Sequence, residues 1–123
     1  MTTIKSFEGI LAWQKARELN KEIYLITNEG LFFKDFGLRD QIRKASISIM
    51  SNIAEGFERR GDKEFIRFLN IAKGSCAELR TQLYAAIDIG YIDEEKFKSL
   101  MSLANDTGKL LQGFKNYLIK HQQ

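Results

Sequence analysis

Apolar residues recur at three- and four-residue steps along most of this chain, and that spacing predicts helices. At about 100° per residue, a first helix covers residues 7–28, with Ser6 as its N-cap. Ala12, Ala16, Leu19, Ile23 and Ile26 form its core stripe, Trp13, Asn20 and Tyr24 a shoulder, and Gln14, Arg17, Glu18, Lys21 and Glu22 the wet face. The segment GLFFKDFG reads as a loop with an aromatic plug of Phe32, Phe33 and Phe36. A second helix, 38–57, places Leu38, Ile42, Ala45, Ile49 and Ile53 on one side and Ile47, Met50, Ala54 and Phe57 on another. Gly61 then reads as a stop and Asp62 as the next cap.

The third helix, 63–89, has the clearest periodicity: Phe65, Phe68, Leu69, Ala72, Cys76, Leu79, Leu83 and Ala86, with Ile66, Ala77 and Tyr84 on a separate line. Gly90 ends it, and Asp93 caps a fourth helix, 94–119, with Glu94 and Glu95 where the helix dipole favours anions. Leu100, Leu103, Ala104, Thr107, Leu111, Phe114 and Leu118 continue the core, and KHQQ forms a fraying tail. Four amphipathic helices with short connections predict an all-α, antiparallel up-down-up-down bundle in a single domain. The extra apolar lines (Ile47, Met50, Ala54 and Phe57; Ile66 and Tyr84) are expected to form an oligomer interface. The alternative is a wider stripe that reaches two neighbours inside one monomer.

A chain of 123 residues that is 44% hydrophobic can bury a core, and the absence of proline agrees with an all-helical fold. There is no apolar run of about 18 residues, so no membrane span is expected. The N-terminus does not read as a secretory signal, which makes the cytoplasm the expected location. Cys76, alone and on a core stripe, is expected to act as a small buried hydrophobe. The net charge of +3 permits nucleic-acid contact without specifying it.

WQKA at Trp13–Ala16, DQIRKASISIMSNIAEGFERR, EFIRFLNIAKGS and AELRTQL together resemble the bacterial 23S rRNA intervening-sequence protein family, also called the four-helix-bundle protein family. The resemblance runs from Phe7 to about Phe114. The family usually has proline where Met50 stands, so the second helix should be straighter here. The resemblance implies a homopentameric ring of four-helix bundles. A related branch, the accessory variability protein of diversity-generating retroelements, implies a basic surface that engages nucleic acid and a reverse transcriptase.

Chemistry is sparse. His121 lies in the tail, and no Glu-x-x-His motif, phosphate loop, zinc spacing or dinucleotide fingerprint occurs, so no cofactor, metal or catalytic site is expected. Glu55 and Glu78 are placed to approach each other, with Arg43, Arg80, Gln41 and Gln82 equally placed to neutralise them. Gln41, Ser48, Asn52, Glu55, Glu78 and Gln82 are therefore read as a structural polar network. Arg39, Arg43, Lys44, Arg59, Arg60, Lys63 and Arg67 form the candidate nucleic-acid-binding set, although the five acidic residues within Leu38–Arg67 leave that stretch only +2. The expectation is a non-enzymatic homo-oligomer that contacts RNA or DNA, with or without a partner protein. A protein–protein scaffold with no nucleic-acid role is the alternative.

Overall fold

The computed structural model describes residues 4–121. A 3-10 turn at Phe7–Gly9 precedes α1 (Leu11–Thr27), α2 (Gly30–Lys34), α3 (Phe36–Glu58), α4 (Asp62–Ile89) and α5 (Glu94–Lys120). Among the described residues there is no strand, and no helix is long and apolar enough to cross a membrane. α3 packs on α4, α4 on α5, and α1 on both α3 and α5, which closes an all-α bundle around one core.

The expected stripes become that core. Ala12, Ala16, Leu19, Ile23 and Ile26 of α1 are buried, as are all eight stripe residues of α4. Ile42, Ala45, Ile49 and Ile53 supply the α3 contribution. Cys76 is 1% exposed, its Sγ donates to the Ala104 carbonyl at 3.2 Å, and burial pushes its thiol pKa up. α3 runs unbroken through Met50, in line with the straight second helix expected there.

The first helix begins later than expected. Ser6 makes no side-chain cap bond, and Ile10 adopts extended backbone (φ −80°, ψ 121°) that turns its side chain, 2% exposed, into the core. The Gln14 side chain donates to the Glu8 carbonyl at 2.8 Å and ties the preceding turn to α1.

GLFFKDFG is not a loop. Residues 30–34 form a short helix, and Asp35 caps α3 by accepting from the Leu38 amide at 3.0 Å, so α3 starts at Phe36. Only Phe32 plugs the bundle, stacked on Tyr91 with ring centroids 5.1 Å apart; Phe33 and Phe36 stay exposed. At the next turn Gly61 is itself the residue before α4, with φ +87° and ψ 149°, a region open almost only to glycine. Asp62 is the first residue of α4 rather than its cap. Gly90 ends α4 with left-handed backbone, and Asp93 caps α5 by accepting from the Lys96 amide at 2.7 Å.

Asp35 also accepts the Tyr91 hydroxyl proton at 2.8 Å, linking the start of α3 to the α4–α5 connection. The Leu38 amide and then the Tyr91 hydroxyl hold the Asp35 carboxyl below its ordinary range, while the Asp35 carboxylate holds the Tyr91 phenol above its own. A depressed carboxyl contributes stability that is present above its unfolded pKa, about 3.9, and is lost as pH falls through the folded value. The thermal advantage of the native protein over Asp35→Asn is therefore expected to shrink steadily below about pH 4. Thermal melts at a series of pH values check this; parallel curves for the two proteins would remove the assignment.

Candidate nucleic-acid interface

The structure divides the seven candidate cations into two groups. Arg39 and Arg59 are twenty residues apart on and just beyond α3, about 30 Å at 1.5 Å per residue. At the first end, Arg39 pairs with Asp40 at 2.8 Å, donates to the Phe33 carbonyl at 3.0 Å and lies against the rings of Phe33 and Phe36. Arg43 donates to the Thr27 hydroxyl at 2.8 Å and lies over Tyr24. Thr27 is fully buried and donates in turn to the Ile23 carbonyl at 2.7 Å, so Arg43 fastens α3 to α1. Lys44 is exposed and has no ion-pair partner among the described residues.

The second end is more open. Arg59 and Arg67 lie against the Phe68 ring, 5.1 Å and 4.6 Å from its centroid. Arg59 pairs with Glu55 at 3.3 Å and Arg67 with Glu64 at 3.1 Å. The Arg67 hydrogen bonds hold the Glu64 carboxyl below its ordinary range. Exposed pairs of this kind are worth about 0–1 kcal/mol, so a phosphate can compete for either guanidinium. Arg60 and Lys63 are exposed without an ion-pair partner among the described residues.

The expected polar network contracts. Ser48 and Asn52 do meet: the Asn52 amide donates to the Ser48 carbonyl and hydroxyl at 2.8 Å and 3.0 Å, and Ser48 bonds Ser75 on α4 at 2.9 Å. Gln41, Glu55 and Glu78 are exposed and lie outside it, Glu55 because Arg59 one turn on takes it up. Gln82 Oε1 is buried with no hydrogen-bond partner among the described residues. Arg80 neutralises neither glutamate; it donates to Asn105 on α5 at 3.5 Å. No group of three or more His, Cys, Asp or Glu among the described residues could hold a metal ion.

The apolar surplus is smaller than the sequence suggests. Met50, Phe57 and Ile66 pack against the core within one chain, because α3 lies between α1 and α4 and needs a wide stripe. Phe57 meets Phe65 edge-on at 6.2 Å. Ala54 is half-buried. Of the candidate interface residues, Ile47 (43%) and Tyr84 (56%) remain exposed, Tyr84 with its ring edge-on to Phe97.

Sequence reasoning missed a second basic surface. Lys73, Arg80 and Lys109 converge on a groove between α4 and α5 that also includes Cys76, Asn105, Gly108 and Gln112. The available signal was Lys73 and Arg80 flanking the buried Cys76 at seven-residue spacing. The third cation comes from another helix, which no local pattern reveals.

A helical bundle with polar seams and basic surface patches defines the class of this protein. The same fold occurs in a crystal structure of a protein of unknown function from the S23 ribosomal protein family of Bacteroides thetaiotaomicron VPI-5482. The two are 28% identical with a TM-score of 0.78, over 85% of this chain and 98% of that one. The profile of the 23S rRNA-intervening sequence protein family matches residues 8–113, and the chain belongs to that family. No curated protein matches the chain.

Proposed function

We propose that the protein is a non-enzymatic, cytoplasmic homo-oligomer that contacts RNA or DNA through its basic surface. The observation that carries this reading is the α3–α4 turn, where Arg59 and Arg67 lie on Phe68 beside Arg60 and Lys63, which have no ion-pair partner among the described residues. Rings that pre-order guanidinium groups reduce the entropy lost when those groups meet phosphate. The subunit is read as an antiparallel up-down-up-down four-helix bundle, supported by Ser48 meeting Ser75 while Gly56 faces Phe65 and Phe68. A pentamer is the assembly the family resemblance implies, and repetition around its axis would multiply each patch.

Charge reversal at Arg59→Glu with Arg60→Glu is expected to weaken binding of a mixed nucleic acid across all sequences. The slope of log affinity against log salt should flatten by about 1 for each phosphate that the protein no longer neutralises. Fluorescence anisotropy over a salt series reads both, with light scattering to show the oligomer unchanged. Unaltered affinity at low salt would remove this reading. The exposed Ile47 and Tyr84 favour a second one, a protein–protein scaffold or accessory subunit, which retention of a protein partner without nucleic acid would support.

A further inference from the structure

The geometry points to the groove between α4 and α5 as a binding site for the phosphodiester backbone of a single nucleic-acid strand, an inference that rests on the nucleic-acid reading above. The groove encloses about 320 Å³ and gathers Lys73 and Arg80 from one wall and Lys109 from the other. No carboxylate is among its lining residues, and none of the three cations has an ion-pair partner among the described residues. Elsewhere the chain does pair exposed cations with carboxylates one turn away, as in Arg59–Glu55, Arg67–Glu64 and Lys98–Glu94.

What the groove offers its cations is neutral. Lys73, half-buried, donates to the Gln112 side-chain carbonyl, and Gln112 is itself oriented by donating to Asn116 at 2.8 Å. Arg80 reaches only Asn105, at 3.5 Å. Such amide acceptors satisfy hydrogen bonds without cancelling charge, so the groove keeps a positive potential that an anion can neutralise. The other flank of α5 behaves oppositely: its groove against α1 is lined by Glu18, Glu22 and Asp106, of which Glu18 pairs with Lys15 at 3.8 Å from outside the groove. The small net charge therefore conceals two surfaces of opposite sign.

The shape selects the ligand. Lys73 and Arg80 are seven residues apart, about 10 Å along α4, a length that serves successive phosphates rather than one isolated ion. Adjacent packed helices have axes about 8–10 Å apart, so the groove between them is narrow, and a flexible single strand can follow it along its length. Gly108 keeps it open: a Cβ there would meet only Cys76 Sγ, at 3.8 Å, which is ordinary contact. Glycine is therefore not required by the packing at that point, and its missing side chain leaves the space that a phosphate would use.

Two variants test this by independent means. Arg80→Gln with Lys109→Gln removes charge at exposed positions. Gly108→Gln fills the groove floor without changing charge, and replacing a helical glycine favours folding by up to about 1 kcal/mol. With a fluorescein-labelled, mixed-sequence, single-stranded RNA at low salt, both variants are expected to bind on the order of tenfold more weakly. Only the charge variant should also flatten the salt dependence, by about 1.4 in log–log slope, about 0.7 for each cation removed. If the unmodified protein and both groove variants bind equally while the Arg59 and Arg60 reversal weakens binding, the groove assignment is overturned and the broader reading survives. If the unmodified protein does not bind, both are overturned. A salt-sensitive change of assembly mass on Lys109→Gln, with RNA affinity unchanged, would give the groove to a second copy of the chain and overturn the assignment as well.

Discussion

Leu79→Ala is expected to lower the stability of the fold by about 2–5 kcal/mol. Leu79 is fully buried near the middle of α4, the helix that packs against both α3 and α5. Removing its branched end forfeits the transfer free energy of the missing carbons and leaves a void that rigid neighbours cannot close. A domain of this size is stable by only about 5–15 kcal/mol, so the change takes a large share of the total. Urea unfolding should show a lower midpoint with an unchanged slope. Leu25→Ala, at a residue that is 52% exposed, is the control and should stay within about 0.5 kcal/mol. A comparably small effect at Leu79 would mean that the centre of the bundle is not filled as described.

Gly56→Ala is expected to destabilise as well, by about 1–3 kcal/mol net, although alanine is the better helix former. A Cβ on Gly56 would lie 2.8 Å from both Phe65 Cδ1 and Phe68 Cβ. The Phe65 ring can rotate away, but Phe68 Cβ moves only with the α4 backbone. The steric cost therefore exceeds the propensity gain of about 1 kcal/mol. Gly113→Ala supplies the opposite sign: nothing lies within 4 Å of its Cβ position, and that variant should be stabilised. Thermal melts of the pair check both signs, and stabilisation by Gly56→Ala would contradict the close approach of α3 and α4.

The contrast between these two glycines shows what the sequence could and could not reveal. Features written locally were legible. The stripe from Phe65 to Ala86 is all buried, Gly90 ends α4 in left-handed backbone, and Asp93 caps α5. Each depends on residues within a turn or two of one another. Asp35 was equally local as a cap, yet the aromatic run around it read as a plug rather than as two helix ends. Features that depend on which helix lies beside which were not legible. Met50 and Ile66 read as surplus until α3 was seen between two neighbours. The basic residues from Arg39 to Arg67 read as one set, although α3 holds its ends far apart. Lys109 joined Lys73 and Arg80 only through the packing of α5 on α4.

The Asp35–Tyr91 hydrogen bond has a counterpart of different character at the far end of the molecule. There Phe57, Phe65, Phe114 and Tyr117 form a chain of ring contacts that ends on the exposed His121 ring and joins α3, α4 and α5 without a carboxylate. One end is thus latched by a proton-dependent bond between elements, whereas at the other the proton-dependent Glu64–Arg67 pair lies within one turn of α4 and the elements are joined by ring packing. Acidification would therefore be expected to release the contact between the start of α3 and the α4–α5 junction, while the ring contacts at the other end do not depend on a carboxylate.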